Sequence, residues 1–465
     1  MKASRKQVQK KAHALPKLKF ENQQLTSFAG LVIVQKFFAS IKLKEKLRGC
    51  FRRFNGGAVY SRATVFLQLI LHLLLGFREL RDARYYQDDP LVKRLLGLNQ
   101  VPDVSTLSRM LKGATPACVK SLRRLLRQMV IEGLVPLAPA RLTLDFDGSV
   151  QSTRRQAEGA AVGFNKKRKG ARSYYPLFCT IAQTGQVFDV LHRPGNVHDS
   201  NGAKEFILQC IRNVHAVLPG VQIEVRLDSA FFSDEIITAL AAEGVEFTIS
   251  VPFERFVELK QLIEQRPRWH RLDKQTWYFQ PNWKPKTWCG NFRFLCIRRR
   301  AKKQRKGPIQ LDLFQPHEYG YEFKVIVTNK TLQAHNVVTY HEGRGSQEGI
   351  FAELKTSCHL DYVPVRTRCG NQLYLLAGLF AHNLTRDLQM QTTLPWCHTT
   401  RQRATWWTFE KLDTFRKTLL RRAGRFTSPH GVLTLTISAN SWIKGRFLKV
   451  LDAIQTVHPG LSWVW

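Results

Sequence analysis

Between about residue 27 and residue 130 apolar side chains recur every three to four positions. The runs are FAGLVIVQKFFASI, VFLQLILHLLLGFRELRDARYY, VSTLSRMLKG and VKSLRRLLRQMVIEGL, with Gly and Pro between them. That spacing is helical and predicts an all-helical unit over residues 21–137. Asp103 or Ser105 stands where the short helix carrying Thr106, Ser108 and Arg109 would be capped. At Arg141 the period changes to that of a strand. LTLDFDGSV alternates Leu142, Leu144 and Phe146 with Thr143, Asp145 and Asp147, so one face is apolar and the other carries the carboxylates. VQIEVRLDSAFFSDEIITAL repeats the pattern: Ile223, Val225 and Leu227 alternate, and Asp228 falls where the strand gives way to a helix. Between these strands an aromatic strand and the stretch Gln186 to Arg193 read as a hairpin, and Asp199 or Ser200 is placed to cap the helix that follows.

Val245 to Val251 reads as a further strand, and residues 253–321 then differ in character, with Trp269, Trp277, Trp283, Trp288 and several prolines. They predict a β-rich insertion, after which Phe323 to Thr328 returns as a strand. The stretch YHEGRGSQEGIFAELK, Tyr340 to Lys355, predicts one helix with Ile350, Phe351 and Leu354 toward a core. Arg344, Glu348 and Lys355 lie on its other side, a carboxylate between two cations. An ordinary surface helix with charge pairs has the same appearance. Residues 370–390 form a strongly apolar helix for packing on the sheet. A basic, Trp-rich segment near Trp406 and Trp407, the strand GVLTLTI and a last helix close the chain. The expected division is a basic arm (1–20), the helical unit (21–137), an α/β core (138–252 and 322–392) interrupted by the insertion (253–321), and a basic C-terminal segment (393–465).

Charge changes the picture. Lys and Arg number 72 against 35 Asp and Glu, leaving a formal +37 on 465 residues. Such an excess calls for a polyanion, usually nucleic acid, although a ribosomal or merely sticky basic protein shares it. With 44% hydrophobic and 11% aromatic residues the chain is not a disordered basic tail. Double-stranded DNA is the expected partner. Arg109 on the capped helix suits a helix-turn-helix, although many helical bundles look alike. Lys166, Lys167, Arg168 and Lys169 in one loop, and Arg298, Arg299, Arg300, Lys302 and Lys303 in the insertion, suit phosphates. Trp288 and its neighbours offer stacking platforms for unpaired bases, or the core of a small subdomain. The nine cysteines include no C-x-x-C pair, which argues against zinc fingers and a secreted disulfide framework. The apolar run Leu69 to Leu75 is too short to span a bilayer, and residues 1–20 lack the apolar stretch of a signal peptide, so a reducing, cytoplasmic home is expected.

The acidic positions make a set. Asp145 or Asp147, then Asp228, then Glu348 would converge if their strands are neighbours. Three carboxylates can hold two divalent cations about 4 Å apart for an in-line phosphoryl displacement. Oxygen ligands suit magnesium rather than zinc. Arg344 and Lys355 would hold nearby phosphates. The absence of a G-x-x-x-x-G-K-[ST] loop weighs against an ATP-driven motor. His192 and His198 are candidate ligands or plain loop histidines.

These residues, together with DVSTLSRML, GFNKKRKGARSYYPL, RPGNVHDS and RLDSAFF, resemble the bacterial insertion-sequence transposases of the DDE class, in the branch with a Tyr-Arg-Glu-Lys signature. Arg344, Glu348 and Lys355 match the signature's spacing, whereas Tyr340 precedes Arg344 by three intervening residues where the usual pattern has two. The resemblance implies an RNase H-like catalytic fold and metal held by Asp147, Asp228 and Glu348, with Asp145 as the alternative first acid. It implies two magnesium ions, replaceable by manganese, and a homodimer that synapses the terminal repeats. It also implies cut-and-paste transfer through hairpin ends into target DNA, at the bacterial nucleoid. A DNA-binding descendant without catalysis, or another RNase H-like nuclease such as a junction resolvase, would share much of this pattern.

Overall fold

A computed structural model describes residues 15–54, 59–163, 165, 168–198, 200–288, 290–301, 320–396, 400–438 and 440–457. Lys166, Lys167, Asp199, Lys302 and Lys303 lie outside the described residues, as does most of the expected basic arm. The helical period of the first part is realised as α1 (Leu31–Ser40), α2 (Leu43–Phe51), α3 (Arg62–Leu74), α4 (Pro90–Leu96), α5 (Val104–Lys112) and α6 (Pro116–Leu134). Their starts follow from capping: Ser61, Asp89, Asp103 and Thr115 each accept a backbone N–H of the first turn.

The alternation at Arg141 builds β1 (Arg141–Gly148), which is followed by β2 (Leu177–Ile181) and β3 (Gln186–Leu191). Then come α7 (Ala203–His215), β4 (Gln222–Leu227), α8 (Asp234–Ala242) and β5 (Glu246–Val251). The insertion contributes α9 (Val257–Glu264), β6 (His270–Arg271), β7 (Thr276–Phe279) and β8 (Arg293–Arg300), and the chain returns through β9 (Tyr321–Thr328). After it lie α10 (Ala334–Glu342), α11 (Ser346–Ser357), α12 (Arg368–Thr392) and α13 (Ser441–Val457). No helix among the described residues is long and apolar enough to cross a membrane.

Nine strands form one sheet in the order β6-β7-β8-β9-β5-β4-β1-β2-β3. β1, β4 and β5 are mutually parallel, while β2 runs antiparallel to β1 and β3 antiparallel to β2. The insertion is therefore no separate body: β8 pairs with β9 from Arg293↔Thr328 to Arg300↔Tyr321, so its strands extend the central sheet. One face of the sheet is dry. Leu142, Leu144, Phe146, Ile223, Val225 and Leu227 are all fully buried there, under α7 and α8. Each such side chain stabilises the fold by about 1.5–3 kcal/mol. The expected helical unit is likewise not self-contained. Its core is one cluster that takes in Leu373, Leu376 and Phe380 of α12 and Leu451 and Ile454 of α13.

Two local expectations are corrected. Ser200 is not the N-cap of α7; the chain enters that helix through Gly202 at φ 68°, with no side-chain cap. The helix expected from Tyr340 to Lys355 is also divided. α10 stops at Glu342, a 3-10 turn spans Gly343–Gly345, and α11 starts at Ser346. Gly343 makes this turn because the Gln402 carbonyl and the Arg226 guanidinium press on its Cα, where any side chain would collide.

Candidate active site at the ends of two parallel strands

The parallel pairing of β1 with β4 sets Asp145 opposite Arg226. Carried two residues further, the same register brings Asp147 level with Asp228, on strands that run about 4.8 Å apart. On β1 and β4 the second face of the sheet, which carries these residues, is polar. Arg226 is completely buried and donates to both oxygens of Asp145, at 2.5 and 2.6 Å, and to the carbonyls of Tyr340 and Gln402. Burial works against the Arg226 charge, but Asp145 beside it prevails and holds the guanidinium above its ordinary value. Two residues back along the same face, Glu224 is buried and accepts from Thr143, Lys330, Arg403 and Arg141. Burial would raise its carboxyl, yet the hydrogen bonds from Arg403 and the charge of Lys330 bring it down to about 2.

Asp145 and Asp147 thus have different surroundings. Asp145 is 1% exposed and its oxygens are taken by Arg226. Asp147, at the strand's end, has a side chain 20% exposed and receives Arg344 Nη1 at 3.1 Å. Asp228 is half-buried and accepts the Ala230 N–H at 2.9 Å, capping a short 3-10 turn. Glu348 is exposed on the first turn of α11. The chain is tied to β1 twice here, by Arg344 of the preceding 3-10 turn on the Asp147 side chain and by Gln347 of α11, whose Nε2 donates to the Asp145 carbonyl at 3.0 Å. Ile350, Phe351 and Leu354 are buried as their spacing predicts, and Lys355 is half-buried at the far end of α11. Tyr340 does not present its hydroxyl to a substrate. It is 2% exposed, and its ring lies beneath Lys330, Arg226 and Arg403 at 4.3, 5.2 and 5.8 Å.

The donor set of Asp147 and Asp228 is all oxygen and suits a hard divalent cation. Among the described residues, however, no three Asp, Glu, His or Cys side chains are gathered closely enough to hold an ion, so Glu348 does not complete a triad in this arrangement. Arg344 occupies Asp147 instead. Sequence reasoning missed Arg226, Lys330, Arg403 and Gln347. The alternation of Glu224, Arg226 and Asp228 along one face of β4 was the signal for Arg226; Lys330 and Arg403 gave none. Lys324 on β9 is another addition. Burial, with the charges of Arg344 and Arg299 opposing its own, brings its amine down to about 8.

The expected DNA contacts divide. Arg109, Arg168, Lys169 and Arg300 are exposed. Arg109 also bonds back to Ser105 and Thr106 on α5. Arg298 lies among the rings of Trp269, Tyr321 and Trp277, at 4.7, 4.8 and 5.5 Å, and Arg299 pairs with Glu342 at 2.6 Å. Trp288 is no open stacking platform: it is 8% exposed and packs on Phe232 with ring centroids 4.6 Å apart.

An α/β sheet with carboxylates level at neighbouring strand ends is the frame of many enzymes that act on phosphate esters. The chain belongs to the family Transposase DDE domain group 1, which it matches over residues 9–459, and is therefore a DNA transposase, an enzyme of DNA phosphoryl transfer. Among solved structures it is similar to the piggyBac transposase in a synaptic complex with hairpin DNA, at 11% identity over 84% of this chain and 80% of that one, TM-score 0.41. It is also similar to the Mos1 transposase in a paired-end complex with the left transposon end, at 9% identity over 42% of this chain and 59% of that one, TM-score 0.18. None of the curated proteins matches the chain.

Proposed function

We propose that this transposase is of the bacterial insertion-sequence type with the Tyr-Arg-Glu-Lys signature, and that it excises and reinserts its element by cut-and-paste at the nucleoid. The observation that carries this reading is the β1–β4 register, Asp145 opposite Arg226, which two residues further on would set Asp147 of β1 level with Asp228 at the end of β4, together with Arg344 on Asp147. The order β3-β2-β1-β4-β5, antiparallel on one side of β1 and parallel on the other, supports an RNase H-like core. Asp147, Asp228 and Glu348 are the acids of this reading, and Asp145 is the buried partner of Arg226 rather than a ligand. Held by these acids, two divalent cations, magnesium or manganese, would supply Lewis-acid activation of the attacking oxygen and neutralise charge on the leaving one.

The residues of the chain do the rest. Arg344 is shared between Asp147 and an incoming phosphate, so the scissile strand draws it away and leaves the Asp147 carboxylate open as DNA seats. Gln347 meanwhile holds the first turn of α11, which carries Glu348, on β1. Lys355, further along the same helix, offers charge to an adjacent phosphate. Dimeric synapsis of two element ends, hairpin ends and strand transfer into target DNA complete the reading.

The test is an excision assay on a plasmid carrying the DNA that flanks the coding region, with magnesium. Wild-type protein is expected to leave double-strand breaks or hairpin ends at the flanks, and Asp147→Asn, Asp228→Asn and Glu348→Gln are expected to bind the same DNA without cutting it. A Glu348→Gln variant that cuts at the wild-type rate would sink the assignment.

A further inference from the structure

Lys324 of β9 has no part in the chemistry described so far, yet the register of the sheet puts it on the face of the acids. Asp145 stands opposite Arg226, Arg226 opposite Thr248, and Thr248 opposite Thr328, so one row of side chains crosses β1, β4, β5 and β9. Two residues nearer the ends of the parallel strands the row reaches the pair Ser250 and Ile326, at the level of Asp147 and Asp228. Two residues further along β9 comes Lys324, and the alternation of strands keeps it on the same face. It therefore stands at the carboxyl ends of the parallel strands, the edge at which sites of such sheets form. β9 runs two strand spacings, roughly 10 Å, from β4. α10 covers this face with Val337 and Val338 over Ile326 and Ile297, and it ends at Glu342.

Positive charge is in surplus around the Lys324 amine. The charges that act on it are those of Glu342, Arg344 and Arg299. Glu342 is taken by Arg299 at 2.6 Å, and Asp147 by Arg344 at 3.1 Å. Glu322, exposed two residues earlier on β9, stands opposite Arg299 on the ladder. Lys324 is the cation left over. Among the described residues its amine has neither a hydrogen bond nor an ion pair, and although the residue is half-buried the amine is still open to solvent. A part-buried cation beside two guanidinium groups, with no acid of its own, is held against repulsion, which a polyanion would relieve. The plain alternative is a lysine whose stem merely covers its neighbour on the ladder, Ile297.

Which polyanion follows from the family, since the chain is a transposase and DNA is its substrate. A strand whose scissile phosphate draws Arg344 from Asp147 carries its neighbouring phosphates along the same edge of the sheet. We propose that Lys324 is a DNA-binding residue of the active site, holding a backbone phosphate next to the scissile one on the side of the insertion. The inference rests on the reading that Asp147 and Asp228 mark the point of cleavage.

The experiment uses the full chain and two duplexes of equal length, the element's flanking DNA and an unrelated sequence. Affinity is measured against salt for wild type, Lys324→Met and Lys324→Arg, with thermal melts beside it and excision followed on the plasmid. Lys324→Met is expected to bind both duplexes roughly ten- to a hundredfold more weakly, with a salt slope lower by about one. It should melt no lower than wild type, because the charge removed has no partner in the fold. Lys324→Arg is expected to restore affinity and slope. Its affinity should also fall less between pH 7 and pH 9 than that of wild type, whose Lys324 amine, at about 8 between Glu342, Arg344 and Arg299, gives up its proton there. Should Lys324→Met fail to fold, this pH comparison decides by itself. Unchanged affinity and slope in Lys324→Met would overturn the proposal, and so would a loss that Lys324→Arg does not restore. If wild type binds DNA but never cuts the flanks, the transposition reading fails, and the unrelated duplex still decides Lys324. A wild type that bound neither duplex would defeat both.

Discussion

Asp145 and Asp147 share a strand face two positions apart, and burial alone separates their roles. Removing one partner of the buried Asp145–Arg226 pair strands an uncompensated charge. Arg226→Met is therefore expected to cost about 3–5 kcal/mol by chemical denaturation. Asp147→Asn breaks a part-exposed contact and should change stability by less than about 1 kcal/mol while abolishing excision. The opposite pattern would restore Asp145 as the first acid. Glu224 gives the acid limb of stability. Its folded carboxyl lies near 2, below the ordinary 4.5, so its contribution is complete above pH 4.5 and is lost as pH falls toward 2. Melting temperatures between pH 6 and pH 2 should fall less steeply for Glu224→Gln than for wild type. The sequence displayed the acids because strand alternation is local. It did not say which acid is covered, since Arg226 reaches Asp145 only through strand pairing, and Lys330 and Arg403 come from distant segments.

At the scale of elements, the turn between α10 and α11 positions the site. His341 is hydrogen-bonded to Thr248 and Ser250 of β5, and Gln347 to the backbone of β1, so the segment carrying Arg344 and Glu348 is fastened on both sides of the strand ends. A methyl group at Gly343 would overlap the Gln402 carbonyl and displace the Arg226 guanidinium. Gly343→Ala is expected to cost roughly 1–3 kcal/mol and to lower excision more than DNA binding, read from thermal melts and the plasmid assay side by side. Unchanged melting and excision would show that the turn is slack. Periodicity predicted the buried stripe of Ile350, Phe351 and Leu354 correctly. It could not reveal the break at Gly343–Gly345, because what forbids a side chain there is the carbonyl of a residue far along the chain.

For the whole molecule, the first and last parts of the chain share one core. Phe66 of α3 meets Phe380 of α12 edge-on at 5.8 Å, and the buried Lys36 of α1 donates to the Leu451 carbonyl of α13. A fragment spanning residues 15–137 is therefore expected not to fold alone, and its circular dichroism should lack a cooperative melt. A sharp two-state transition for that fragment would restore the independent N-terminal domain suggested by its helical period.

By itself the sequence determined most of the elements, the +37 charge and the positions of the acids along the chain, because periodicity, capping and composition act over a few residues or over none in particular. Tertiary structure decided everything that depends on a cover or a neighbour. It buried Asp145 and Trp288, joined the insertion to the central sheet and seated Arg344 on Asp147. A strand's period fixes which residues share a face; only long-range pairing fixes what that face meets.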